Sequence, residues 1–178
     1  RKIDQIRRKE YEKSLAEALT QFHLGIDVKD KEDRILALRN VLPTEADYVT
    51  LFPDFGSALW QLAEPSYNEL IKDIDKLSKK IKEENWTDTK YTELRKIKSY
   101  EDVMRLLPED IPVYSVQKLG PKGWIGTNTF IYVKHRWVLI NGLEQVPATI
   151  NKLKKAEAER IKQNEKQGET SIKNEKTE

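Results

Sequence analysis

The stretch Ile111–Ile140, IPVYSVQKLGPKGWIGTNTFIYVKHRWVLI, decides the fold class of this chain. Its apolar residues form three short runs, which are separated by a turn at Gly120–Gly123 and a two-residue loop at Lys134–His135. This pattern predicts three consecutive antiparallel strands, Val113–Leu119, Trp124–Val133 and Arg136–Ile140. Because mainly helical periodicity precedes them, the sequence predicts an α+β fold whose N-terminal helices pack on a curved antiparallel sheet.

The pairing of the last two predicted strands sets which side chains share a face. With Lys134–His135 as the loop, Tyr132 lies opposite Trp137 and Phe130 opposite Leu139. The aromatic residues then share one face, and Ile131 and Val138 occupy the other: the aromatic set is Trp124, Phe130, Tyr132 and Trp137. Both faces are partly apolar, so we expect a helix on one side and further protein or a ligand on the other.

The loop of this hairpin departs from the usual preference. A two-residue hairpin loop favours Asn-Gly or Asp-Gly because it needs positive φ angles, and here the residues are Lys134 and His135. Two alternatives stay open from the sequence: the turn is of another type, or the register differs by one residue.

The remaining elements follow from periodicity and from helix-end signals. Thr44-Glu45-Ala46-Asp47 predicts a capping box at the start of a short helix. The predicted elements are a helix Lys2–Leu24 capped by Gly25, a helix Asp33–Leu42 stopped by Pro43, a helix from Thr44 through Leu51, helical stretches Ser57–Ala63 and Pro65–Glu84, a strand Tyr91–Ile97, and a helix from Ser99 that ends before Pro108.

The composition excludes several classes of function. The chain has 178 residues and no cysteine, so disulfide frameworks, thiolate metal sites and cysteine nucleophiles are absent. Its 32 basic and 30 acidic side chains nearly cancel, and acidic residues interrupt the lysine runs, which argues against a nucleic-acid-binding protein. No apolar run approaches the roughly 20 residues of a spanning helix, so we expect a protein that is not transmembrane.

The two ends of the chain give further expectations. A start at Arg1 fits the removal of a signal peptide or lipoprotein leader, and a trimmed chain fits as well. The sequence thus predicts a periplasmic or secreted location, and a cytoplasmic one stays open. We expect a single α+β domain over residues 1–147. Residues 148–178 are predicted to form a weak helix at Ile150–Ile161 and a charged, disordered tail.

The closing hairpin resembles that of the nuclear transport factor two-like, cystatin-like superfamily. Tyr132, Val133, Arg136, Trp137, Val138 and Ile140 carry this resemblance. The middle stretches Leu42–Glu45 and Leu51–Pro53 are similar to those of an exported bacterial branch of that superfamily. The resemblance implies a cone-shaped fold with a pocket between the sheet and the long helices, a pocket that serves enzymes, ligand carriers and dimerising modules alike.

Few residues could supply chemistry in such a pocket. His23 is the candidate catalytic base if a pocket exists, because it follows Leu19 by one helical turn at the edge of an apolar face. The alternative is a boundary histidine bonded to backbone or water. His135 is expected to be an exposed turn residue. With two histidines and no third group at ligand spacing, the sequence predicts no metal site, and it contains no nucleotide-binding fingerprint, so no cofactor is expected.

The aromatic face offers the other candidate site. Trp124, Asn128, Tyr132 and Trp137 are the candidate binding residues, and the alternative is that these tryptophans form the packing layer beneath the helices. Stacking on nucleic acid would require basic residues on the same face.

Two functional hypotheses follow. The first is a non-enzymatic binding or accessory module of the cell envelope or the exported fraction, which recognises a protein partner or a small ligand and leaves room for a homodimer. The second is a small-molecule isomerase, dehydratase or hydrolase that uses His23. A cavity between helix and sheet, lined by His23 and a carboxylate, would favour the second; a space filled by aromatic and leucine side chains would exclude it.

Overall fold

A computed structural model describes residues 2–84 and 88–175 of the chain. The chain divides into two compact units, residues 1–144 and 145–178, while the sequence predicts a boundary at 147. The first unit contains six helices and a four-stranded sheet in its described residues: α1 Lys2–Ile26, α2 Lys31–Val41, α3 Glu45–Leu51, α4 Gly56–Lys72, α5 Ile74–Glu83, β1 Asp88–Glu93, α6 Glu101–Met104, β2 Val113–Gly120, β3 Gly123–Val133 and β4 Arg136–Leu139. The α+β class is confirmed.

The sheet is an antiparallel meander in the order β1-β2-β3-β4. The predicted register of the closing hairpin is confirmed, with Tyr132 opposite Trp137 and Phe130 opposite Leu139. Lys134 and His135 have φ angles of 50° and 63°. These positive angles at both loop residues are those of a type I′ turn, so the hairpin keeps the expected turn without its usual Asn-Gly sequence. The predicted strand Tyr91–Ile97 begins earlier, as β1, and gives way to a 3-10 turn at Leu94–Lys96.

A bulge in β3 overturns one part of the predicted face. The pairing shifts between Val116, which lies opposite Asn128, and Lys118, which lies opposite Ile125. The extra residue falls at Gly126, whose φ of 66° is of the kind that glycine tolerates. Since an inserted residue reverses the alternation, Trp124 points to the face opposite that of Phe130 and is 46% exposed. The prediction that Trp124 shares the aromatic face is therefore wrong.

Two predicted helix boundaries are also wrong. Gly25 does not cap α1 but lies inside it, where a Cβ atom would sit 2.6 Å from the Cβ of Ala37. The glycine thus allows α1 and α2 to approach closely. Pro65 lies within α4 rather than at a helix start. The break falls at Asp73, whose amide bonds to Glu69 at the end of α4 and whose carbonyl accepts the amide of Leu77 in α5.

The predicted capping box of α3 is confirmed. The Thr44 hydroxyl accepts the amide of Asp47 at 3.3 Å, and the Asp47 carboxylate accepts the amide of Thr44 at 2.9 Å. The reciprocal pair satisfies two helix-end donors, which fixes where α3 begins after Pro43.

The core of the first unit forms where α1 packs on the sheet. Leu15 and Leu19 contact a buried layer from three strands, consisting of Tyr114, Val116, Phe130 and Trp137. Val113, Ile131 and Val138, which lie on the other face, are fully buried as well. Both faces of the sheet therefore carry buried apolar residues, in agreement with the prediction that both faces are partly apolar.

Within its described residues, the second unit contains one α-helix, α7, which spans Val146–Glu175. The prediction assigns a weak helix to Ile150–Ile161 and a disordered tail beyond it, whereas the helix continues to Glu175. Lysine, glutamate and glutamine make up more than half of residues 162–175, and these residues have high helix propensity. Every residue from Lys154 to Glu175 is exposed, and the two isoleucines in this part of α7, Ile161 and Ile172, are 46% and 56% exposed.

Candidate functional site

A cavity of about 360 Å³ lies between the helices and the sheet. This volume is in the range of about 300–1,000 Å³ that small-molecule pockets occupy. Helices α1, α2, α4 and α5 form its roof and sides, and β2, β3 and β4 form its floor. Its apolar lining comes from Leu19, Phe22, Leu38, Val41, Leu70, Leu77, Ile81, Val116, Phe130 and Leu139.

The polar lining of this cavity centres on two side chains. Nζ of Lys118 lies 2.6 Å from Nε2 of His23. Lys118 is on β2, two residues beyond Val116, and so points to the same face of the sheet. His23 is on the last turn of α1, one turn after Leu19, which packs on that face. The alternation of a strand and the period of a helix thus bring the two groups together.

The protonation of the pair follows from its surroundings. Burial lowers the pKa of His23 below its usual 6.5, and the charge of Lys118 lowers it further. Burial also lowers the pKa of Lys118 to about 8, although the carboxylate of Glu84 opposes this shift. Near neutral pH, a neutral His23 therefore accepts a hydrogen bond at Nε2 from the Lys118 ammonium, which leaves its own proton at Nδ1.

The other charged groups at the cavity are more exposed. Glu84 and Lys80, from the end of α5, face each other with Oε1 and Nζ 4.0 Å apart. The Lys80 side chain is 71% exposed and that of Glu84 28%. Two amide side chains, Asn128 and Asn141, complete the polar lining. One cation next to a neutral imidazole at an apolar cavity is an arrangement that can bind a negatively charged group or move a proton.

The structure brings some of the predicted site residues together and separates others. His23 and Asn128 both line the cavity. Trp137 is buried in the core, where its Nε1 donates to Ser14 Oγ at 3.0 Å, and Tyr132 packs beside it with ring centroids 5.2 Å apart. Trp124 lies on the other face of the sheet. The four candidate binding residues therefore do not form one site.

A second, more open groove of about 710 Å³ lies between α1, α2 and the β3–β4 turn. Tyr132, His135, Arg136 and Trp137 border it, together with the exposed Leu36 of α2. His135 is exposed at the turn, as predicted. The polar side chains that pair at this groove include Trp137 and Ser14, joined by the 3.0 Å hydrogen bond.

Sequence reasoning missed Lys118 and Glu84. The signal for Lys118 was present, because positions 114, 116 and 118 alternate onto one face and the first two are apolar and buried. Glu84 has no comparable signal, since it is one of several charged residues at the end of a solvated helix.

Comparisons with protein-family models, with curated proteins and with solved structures found no match for this chain. Across residues 2–84 and 88–175, no cluster of three or more His, Asp or Glu side chains has a geometry that could hold a metal ion. The helices in this part of the chain are all too short or too polar to span a membrane.

Proposed function

We propose that this chain is a small-molecule-binding module whose ligand is an apolar chain with a carboxylate head. The observation that carries the proposal is the cavity between α1, α5 and the sheet, with Lys118 and His23 side by side in an otherwise largely apolar lining. The walls fit a hydrocarbon chain, and the ammonium of Lys118 fits an anionic head.

The energetics favour a charged head over a neutral one. A hydrogen bond to a charged group contributes about 1.5–3 kcal/mol, which is roughly a tenfold to hundredfold change in affinity. A carboxylate that enters the cavity would be attracted by the partly buried ammonium of Lys118. Glu84 would repel that carboxylate, but it lies beside Lys80 and is partly exposed, which weakens the repulsion.

Calorimetric titration of octanoate and octan-1-ol tests the proposal. We expect octanoate to bind more tightly than octan-1-ol, and Lys118→Met to weaken octanoate by at least about tenfold while leaving octan-1-ol unchanged. Lys122→Met, at the exposed β2–β3 turn, is the matched control and should leave both affinities unchanged. Equal octanoate affinities in the wild type and Lys118→Met would refute the carboxylate ligand. Native mass spectrometry of the purified protein would show whether such a ligand is retained.

The cavity also favours a second candidate, a small-molecule isomerase, dehydratase or hydrolase. Two adjacent groups with lowered pKa values are suited to proton transfer near neutral pH. His23 would be the base, and the cavity carries the carboxylate of Glu84 that this hypothesis requires. Deuterium uptake from heavy water at the carbons beside the carbonyl of 2-octanone, followed by NMR, would test it. Uptake should be lost in His23→Asn; no uptake in the wild type would count against catalysis.

The wider context of this module is part of the same proposal. We propose the cone of the nuclear transport factor two-like superfamily as its fold, and the cell envelope or exported fraction as its location. Superposition of an experimental structure on that superfamily would test the first, and cell fractionation the second. Sedimentation of the purified chain would test the expected homodimer or protein partner.

A further inference from the structure

The surroundings of Lys118 suit a nucleophilic amine and differ from those of a surface lysine. Its Nζ projects from the centre of the meander into the cavity, and the nitrogen next to it, His23 Nε2, has a lone pair at 2.6 Å that can take a proton. A lysine attacks a carbonyl group only as the neutral amine, so an active lysine needs apolar surroundings and a nearby proton acceptor. Both are present around Lys118.

We propose that Lys118 condenses with the aldehyde group of an apolar ligand to form an imine, with His23 carrying the proton. The inference rests on one part of the proposed function, the entry of an apolar chain into the cavity, because only then can the aldehyde reach Lys118. It goes beyond that function in making the bond covalent and in naming aldehydes as the ligand class.

The step balances without any further reactant. The neutral amine nitrogen attacks the carbonyl carbon, and the N–C bond forms while the C=O π electrons move to oxygen. The nitrogen then loses a proton to Nε2 of His23, which passes it to that oxygen to give a carbinolamine. The nitrogen lone pair forms the C=N bond as the C–O bond breaks, and the remaining N–H proton passes through His23 to the departing hydroxide, which leaves as water. One amine and one aldehyde give one imine and one water.

The protonation state of Lys118 supports this step. Because burial lowers its pKa to about 8, about one molecule in ten carries the neutral amine at pH 7, against on the order of one in a few thousand for an ordinary lysine. The charged or titratable groups that face it in the described cavity wall are His23 from α1, Lys80 from α5 and Glu84, which directly follows α5. Of these, Glu84 favours the ammonium and so limits the shift.

Reductive trapping tests the proposal on the full chain. The protein would be incubated with a low concentration of hexanal and sodium cyanoborohydride at pH 7, which converts an imine to a stable alkylamine. Intact mass should show one hexyl group, and peptide mapping should place it on Lys118. Lys118→Arg should lose this adduct, whereas Lys122→Arg should keep it. Adducts spread over the exposed lysines in the wild type would overturn the inference. This measurement uses the wild type alone, so it does not depend on whether a variant folds.

Further arms separate this inference from the proposed function. His23→Asn should slow adduct formation severalfold at hexanal concentrations that saturate the cavity; an unchanged rate would remove His23 from the step. Octanoate binding without a Lys118 adduct would refute the imine and leave the binding module standing. A Lys118 adduct without octanoate binding would uphold the imine and refute the carboxylate ligand. Neither result would refute both.

Discussion

Arg136 on β4 forms an ion pair with the carboxylate of Asp47, which is only 1% exposed in the first turn of α3. The same carboxylate oxygen accepts the amide of Thr44. The Arg136 guanidinium also donates to the carbonyl oxygens of Asn40 and Leu42, at 3.0 and 3.1 Å. One arginine therefore joins the end of α2, the start of α3 and the closing hairpin, and holds α2 over the cavity.

Loss of the Asp47 carboxylate should destabilise the protein strongly. Breaking a buried pair leaves the partner without its counter-charge, which typically costs about 3–5 kcal/mol, and we expect about 2–4 kcal/mol for Asp47→Ala because Arg136 stays one-third exposed. Urea unfolding at neutral pH measures this. Glu45→Ala, an exposed change in the same helix turn, is the control and should cost under about 1 kcal/mol. Similar losses in both variants would show that the pair contributes little.

The two sheet tryptophans should respond very differently to truncation. Trp137 is 4% exposed and hydrogen-bonded to Ser14, so Trp137→Ala should cost about 3–5 kcal/mol by leaving a cavity and an unpaired hydroxyl. Trp124 is 46% exposed, and Trp124→Ala should cost under about 1 kcal/mol. Chemical denaturation of both variants measures the difference. A large loss for Trp124→Ala would mean that this ring is covered in solution.

The hairpin was predictable because its information is local. Alternation of apolar residues and a two-residue loop predict the pairing of Tyr132 with Trp137, although the unusual loop residues Lys134 and His135 left a shift of one residue open. The face of Trp124 was not predictable in the same way. A single inserted residue at Gly126 reverses the face to which every earlier side chain of β3 points. Alternation alone does not reveal where a strand bulges.

The site was partly predictable for a similar reason. His23 follows from the edge of an apolar helix face, but its contact with Lys118 joins residues that are far apart in the sequence. Only the packing of α1 on β2 creates it. The continuation of α4 through Pro65 likewise overrides a local signal, because a proline more often starts or ends a helix than lies within it.

Acid should destabilise the folded chain through His23. Burial, and to a smaller extent the charge of Lys118, lower the pKa of His23 in the folded chain below the usual 6.5 that it has in the unfolded chain. At pH values between these two pKa values, the unfolded state therefore binds more protons than the folded state. Stability therefore falls as the pH drops through about 6.5. His23→Asn should reduce the loss in urea midpoint between pH 7.5 and pH 5.5. The other histidine provides the control, because His135→Gln changes an exposed turn residue. Identical pH slopes for the wild type and both variants would contradict this cause.

The contact between α1 and α2 should reverse the usual stabilising effect of replacing a glycine inside a helix by alanine. Glycine to alanine inside a helix normally stabilises by about 1 kcal/mol, but a Cβ on Gly25 would meet the Cβ of Ala37 at 2.6 Å. We expect Gly25→Ala to lower the melting temperature. Ala37→Gly removes the obstacle, and the nearest remaining atom is the Ala37 Cα at 3.8 Å. In a chain that already carries Ala37→Gly, adding Gly25→Ala should lower the melting temperature much less than it does in the wild type. An equal loss in both backgrounds would contradict the contact.

Removal of the end of α7 should leave the first unit as stable as before. Ile172, 56% exposed, is the one large apolar side chain among residues 162–175. Ordering one residue costs about 1–2 kcal/mol of backbone entropy, and a fully buried isoleucine returns only about 1.5–3 kcal/mol. A helix without packing frays readily. A chain that ends at Ile161 should therefore melt within a few degrees of the full chain, and limited proteolysis of the full chain should cut beyond Ile161 first. A much lower melting temperature for the shortened chain would show that this segment of α7 docks and contributes to stability.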